Sequence, residues 1–255
     1  MSNRIRLLEP SDVPQARALS QAVGWNQTPD DWRLAIEMNP VGCFAMEFEA
    51  TLVATTTTIR YGTDLAWIGM VLTHPEYRAR GYARSLMQCA LDHLSDVKTI
   101  KLDATEMGAP LYRQLGFVDE CVIERWHGQS NFTPVEVQQF TDPAFDKEAF
   151  GADRGTLLKR LAKIESASLE DAFAMGRGNR FGPCVSRSKE SAVALAQRYL
   201  ARHPNQHLVW DLFPENNLAQ SLGFVLSRRL TRMTRGRNLK SNHALVYACA
   251  GFEFG

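Results

Sequence analysis

The tetrapeptide Leu115-Gly116-Phe117-Val118 recurs as Leu222-Gly223-Phe224-Val225, and it does not recur alone. Ala192, Leu195, Ala196, Tyr199 and Leu200 reproduce the spacing of Ala83, Leu86, Met87, Ala90 and Leu91. Between these two features, Leu208-Val209-Trp210-Asp211 matches Ile100-Lys101-Leu102-Asp103. A helix pattern, a strand pattern and a turn that repeat in one order at a near-constant offset predict two related halves. The 255 residues are enough for two small cores. The boundary falls in Gly128 to Phe145, which is polar and contains Pro134 and Pro143. Expected, then, are a first domain over 1–133, a linker over 134–145 and a second domain over 146–255.

Periodicity supplies the elements of the first half. Ile5 to Leu8 reads as a strand, helices start near Val13 and Asp30, and strands follow at Cys43–Phe48 and Leu52–Tyr61. Leu65 to Leu72 is apolar on both faces, which predicts a strand covered by helices above and below. From Ala83 the apolar residues fall at helical steps, so an amphipathic helix follows that strand. A strand at Lys98–Ala104, a helix at Ala109–Leu115 and strand sequence from Phe117 to Trp126 complete the half. The expected class is α/β (α+β): two related domains, each a mixed twisted sheet flanked by helices.

Chemistry concentrates where the doubly apolar strand ends. Val71-Leu72-Thr73-His74-Pro75-Glu76-Tyr77 leads into Arg78-Ala79-Arg80-Gly81-Tyr82-Ala83, and the amphipathic helix starts at once. Small residues at 81 and 83 let backbone amides approach a ligand closely. The unbonded amides of a helix start, with the helix dipole behind them, favour a phosphate or pyrophosphate.

These residues resemble the GNAT superfamily of acetyl-CoA-dependent N-acetyltransferases. Arg78, Gly81 and Ala83 match its coenzyme motif, and Leu111-Tyr112-Arg113-Gln114-Leu115-Gly116-Phe117 matches a second family element. The resemblance implies that amides from Arg78 to Arg84, including Ala79, Arg80 and Tyr82, hold the pyrophosphate of acetyl-CoA. It implies that the backbone of Val71, Leu72 and Thr73 pairs with the pantetheine arm. Where the family often carries an Asn, this chain has Thr105.

The chemistry so implied is attack of a neutral amine on the thioester, with a backbone amide near Val71 stabilising the oxyanion. Tyr112 resembles the family's general acid, a phenol that protonates the departing thiolate. Asp103, Glu106, His74 and a water chain all stand as candidates for the base. Asp211 occupies the position of Asp103 in the second half, which favours a structural aspartate. Trp25 and Trp32 flank the loop where the resemblance implies that an acceptor enters, and either line that pocket or belong to the core.

The second half departs from the first where coenzyme would bind. Only Ser186 to Ser191, without a glycine, link its strand to its helix, and Ala219 stands in place of Tyr112. Together with Phe150-Gly151-Ala152-Asp153-Arg154 and Thr231-Arg232-Met233-Thr234-Arg235-Gly236, this resembles the YitH-type subgroup of tandem acetyltransferases. There a degenerate second domain follows an active first one, so a role in shaping the acceptor site is expected for it.

Composition narrows the partners. A net charge of +1 disfavours broad nucleic-acid binding, and the run from Arg228 to Lys240 reads as a solvated face. No apolar stretch is long enough for a signal peptide or membrane span, and five dispersed cysteines form no Cys-x-x-Cys pair. Reduced thiols, a cytoplasmic location and no membrane partner are expected. The six histidines show no ligand spacing, so no metal is expected. Three readings remain: transfer to a small amine such as an amino acid or amine metabolite, transfer to a protein amine, and a non-catalytic acyl-CoA sensor or interaction module.

Overall fold

The computed structural model describes residues 3–129 and 145–255. Of the linker expected at 134–145, only Phe145 lies among the described residues. The chain divides into two compact units. The first runs to Leu102 and includes Arg235–Arg237 and Phe254; the second comprises Asp103–Thr234, Asn238–Glu253 and Gly255.

The first unit begins with β1 (Asn3–Leu7), α1 (Val13–Ala22) and α2 (Pro29–Met38). Thr28 caps α2 in a reciprocal capping box with Asp31, which fixes its start where Pro29 can open the first turn. Then come β2 (Phe44–Phe48), β3 (Thr51–Tyr61), β4 (Leu65–Thr73), α3 (Tyr82–His93) and β5 (Thr99–Ala104). The strand order is β1-β2-β3-β4-β5, antiparallel except for the parallel pair β4/β5. The β-branched run Thr55 to Ile59 is fully buried in β3, against which all three helices rest.

The second unit contains α4 (Ala109–Gln114), β6 (Val118–Gly128), α5 (Asp146–Phe150), α6 (Gly155–Ala162), β7 (Glu165–Leu169), β8 (Ala172–Arg177) and β9 (Arg180–Ser186). It continues through α7 (Lys189–Arg202), β10 (Leu208–Leu212), α8 (Leu218–Ser221), β11 (Val225–Gly236) and β12 (Val246–Ala248). Strands β7-β8-β9-β10 reproduce the pairing of β2-β3-β4-β5: two antiparallel contacts, then one parallel.

The repeat does not close each half on itself. Strand β6 follows the first Leu-Gly-Phe turn, yet it lies between β10 and β11, antiparallel to both. Its register with β11 pairs Ile123 with Leu230, Val122 with Thr231 and Glu124 with Arg229. Exchanging each residue for its equivalent in the other repeat returns the same pairs, so a local two-fold axis passes through the buried Ile123–Leu230 contact. The compact units therefore divide upstream of the sequence boundary near 133, because β6 finds both its hydrogen-bond partners after residue 200.

The basic run is exposed at Arg229, Arg235, Arg237 and Lys240, and the reading of it as a solvated face is corrected at Arg232 alone. Arg229 does reach outward to Glu124 at 2.9 Å, but Arg232 is buried. Strand alternation sends neighbouring residues to opposite faces. The five cysteines are free; Cys43, Cys184 and Cys249 are buried, and burial pushes the Cys43 thiol up to about 11. Among the described residues no helix is long and apolar enough to cross a membrane.

Candidate active site

Strand β4 does not run straight into its loop. Leu72 pairs with Thr55 but Gly69 pairs with Thr57, so two β4 residues oppose Thr56 in a bulge. Met70 takes the left-handed conformation there, with φ 46°, and its carbonyl accepts from the Thr55 hydroxyl at 2.8 Å. Pairing with β5 stops at Trp67–Lys101, while β4 continues from Ile68 to Thr73 alongside β3 alone. Val71, Leu72 and Thr73, the expected pantetheine partners, all lie on this stretch beyond the last β5 pair.

The loop is then braced from below. Pro75–Tyr77 form a single 3₁₀ turn capped by His74, whose Nδ1 accepts from the Glu76 amide at 3.4 Å. The Tyr77 ring contacts Phe48 and His74, and Arg80 lies over it at 4.9 Å. Arg78 donates to the Thr73 carbonyl at 3.4 Å, and Arg80 donates to the Glu76 carbonyl at 3.3 Å.

Two residues turn the loop into the helix. Ala79 (φ 61°) and Gly81 (φ 80°) both adopt left-handed conformations. Gly81 is the N-cap of α3 and supplies no side-chain cap; the first helical bond is Ser85 N–H to Gly81 C=O at 3.0 Å. The amides of Tyr82, Ala83 and Arg84 thus precede the first helical bond. A Cβ built on Gly81 meets nothing within 4 Å. Tyr82 itself is buried and anchors the helix start with Leu86 among Met46, Val53 and Ala54.

Residues 13–117 match the model of the acetyltransferase (GNAT) family, and residues 143–248 match an acetyltransferase (GNAT) domain. The chain belongs to the GNAT acetyltransferase family. It is 27% identical over 160 residues to the uncharacterized N-acetyltransferase YitH of Bacillus subtilis (strain 168), covering 54% of this chain and 57% of that protein. It is 25% identical over 232 residues to a holothin acyltransferase of Pseudoalteromonas sp. (strain SANK 73390), covering 80% and 78%. Its fold matches a putative acetyltransferase from Pyrococcus horikoshii with TM-score 0.88 at 20% identity, over 99% of this chain and 96% of that one.

The remaining expected residues of this GNAT protein occupy distinct settings. Trp32 is wholly buried on α2, whereas Trp25 is half-buried in the loop after α1, its amide bonded to the Ser20 carbonyl. Tyr112 is buried on α4, and burial pushes its phenol well above the ordinary value. A Cβ on Gly108 would meet the Tyr112 ring at 2.9 Å, so the glycine makes room for it. Glu106 is exposed in the turn before α4. Asp103 has both oxygens engaged: Arg232 donates from Nε at 2.9 Å and from a terminal nitrogen at 3.0 Å. Burial pushes the Asp103 carboxyl up, opposed by the charge and hydrogen bonds of Arg232.

The second GNAT copy differs on the free side of its β9 strand and at the start of its helix. Strand β9 pairs with β10 only at Arg180 and Phe181, repeating the early end of β4/β5 pairing. Here β12 takes the free side, pairing Val246 with Val185 and Ala248 with Cys184. The Cys249 amide bonds the Asp211 carbonyl of β10 at 2.7 Å, and Trp210 donates to the Tyr247 carbonyl at 2.8 Å. The chain's own strand β12 thus covers β9 beyond its last β10 pair, where β4 beyond Trp67 has no β5 partner. The helix start is closed as well: Ser188 caps α7 by accepting from the Ser191 amide, and the Ser191 hydroxyl bonds Asp171 at 2.6 Å. An acidic group there opposes a pyrophosphate. The link's lack of glycine was visible in the sequence, but the filling of the gap by β12 was not, because Val246–Ala248 carries no motif.

Proposed function

We propose that this GNAT protein transfers an acetyl group from acetyl-CoA to the primary amine of a small molecule, using the site around Gly81. The observation that carries the reading is the left-handed Gly81 at the N-cap of α3, which leaves the start of that helix without a side-chain cap. Amides at a helix start suit a pyrophosphate. The β4 stretch from Ile68 to Thr73, free of β5, suits an arm that pairs with backbone.

In this reading an amide near Val71 stabilises the charge that develops on the thioester oxygen. Tyr112 returns a proton to the thiolate leaving group; a phenol held protonated by burial is in the right state to do so. Asp103 acts as a structural residue, since its carboxylate is committed to Arg232. A water chain then carries the amine proton away, with the exposed Glu106 as an alternative acceptor.

The test is acetyl-CoA turnover, followed by release of free thiol, against a panel of amino acids, small amines and protein substrates. Faster turnover with small amines supports the proposal. Preference for protein amines would replace the acceptor, and tight coenzyme binding without turnover on any acceptor would leave a sensor.

A further inference from the structure

A second polar cluster lies in the second unit, outside the residues assigned to acetyl transfer. Along β6, Cys121 pairs with Arg232 of β11 and Asp119 pairs with Met233, so Glu120 is an extra residue in a bulge. A regular strand would send Glu120 and Cys121 to opposite faces. The bulge suspends that alternation. The Glu120 carboxylate, the Cys121 thiol and an imidazole nitrogen of His243 come within 4.8 Å of one another, and all three residues are half-buried.

His243 arrives from the 3₁₀ turn His243–Leu245 just before β12. Its ring stacks on Phe213 at 3.7 Å with an interplanar angle of 16°. Its Nδ1 faces the Glu215 carboxylate at 3.5 Å, and Asn216 holds its backbone carbonyl. A carboxylate facing the ring of a histidine is the usual outer support of a metal-bound histidine.

We propose that Glu120, Cys121 and His243 form a binding site for a zinc-like divalent metal ion, with Glu215 orienting His243. A mixed oxygen, sulfur and nitrogen donor set suits zinc, and three protein ligands leave one tetrahedral position for water. Bonds of about 2.0–2.3 Å place tetrahedral ligands within about 4 Å of each other, so small side-chain rotations close the cluster. The ion would tie the β6 bulge to the turn that launches β12.

The full chain, stripped with chelator, is titrated with Zn²⁺ against a chromophoric competitor and separately with Co²⁺. One ion per chain is expected, with a thiolate-to-cobalt charge-transfer band in the near ultraviolet. Cys121→Ser should remove that band, and His243→Ala should weaken Zn²⁺ binding at least tenfold. Glu215→Gln, at an exposed position, should weaken it about 10–100-fold without loss of fold. Cys89→Ser should change neither. No stoichiometric binding, or a charge-transfer band that survives Cys121→Ser, overturns the site. These readouts are independent of acetyl transfer, so they stand or fall apart from the proposed activity.

Discussion

Asp103 and Arg232 form a bidentate, fully buried ion pair, and Asp211 and Arg125 form the same pair at 2.6 Å on both oxygens. Arg232 is the repeat equivalent of Arg125, and Asp211 that of Asp103. Each aspartate is therefore held by the arginine of the opposite repeat. The exchange follows from the two-fold axis between β6 and β11 and locks the two repeats' last strands into reciprocal positions.

Removing one partner of such a pair strands a buried charge. Asp103→Ala and Asp211→Ala should each lower unfolding free energy by about 3–5 kcal/mol in denaturant titrations. If Asp103 were instead the catalytic base, Asp103→Asn would retain stability and lose turnover. A stable, inactive Asp103→Asn protein would reject the structural assignment.

Gly81→Val should abolish acetyl-CoA binding. The left-handed φ of 80° strains a β-branched residue by about 1–2 kcal/mol, too little to unfold the protein but enough to shift the backbone that places the helix-start amides. Calorimetry on the folded variant checks this; unchanged affinity would remove the loop from the coenzyme site.

Tyr112→Phe keeps the ring and deletes the proton. Turnover should fall by about 10²-fold or more with coenzyme affinity little changed. Gly108→Ala should give a milder loss by pushing the ring aside. Wild-type turnover in Tyr112→Phe would assign the phenol to packing alone.

One coenzyme should bind per chain. In the second copy β12 covers the free side of β9, and Ser188 with Asp171 closes the start of α7. Neither Ser188→Ala nor Asp171→Asn should create a second site, since β12 remains in place. Titration to two equivalents would refute this.

A fragment ending near Thr133 should not yield a soluble domain. It retains β6 but lacks β10 and β11, the strands on its two sides, and lacks Arg232 for Asp103. Size-exclusion and circular dichroism on that fragment test it; a monomeric, active fragment would show that the exchange of β6 is dispensable.

Local chemistry alone determined much of this protein. The runs at Val13, Thr51 and Leu65, the helix after Gly81 and the repeated Leu-Gly-Phe turn are set by periodicity and glycine conformation, which act over a few residues, so they could be read from order alone. The same holds for the loss of glycine before α7 and of the phenol at Ala219. Tertiary structure decided the features that depend on contacts between distant segments. The placement of β6 between β10 and β11, the burial of Arg232 against Asp103 and the covering of β9 by β12 are of this kind. So is the meeting of Cys121 with His243, more than a hundred positions apart. No spacing rule encodes these, because strand pairing depends on which edges the whole chain brings together, and a single bulge at Glu120 redirects side chains that alternation would have separated.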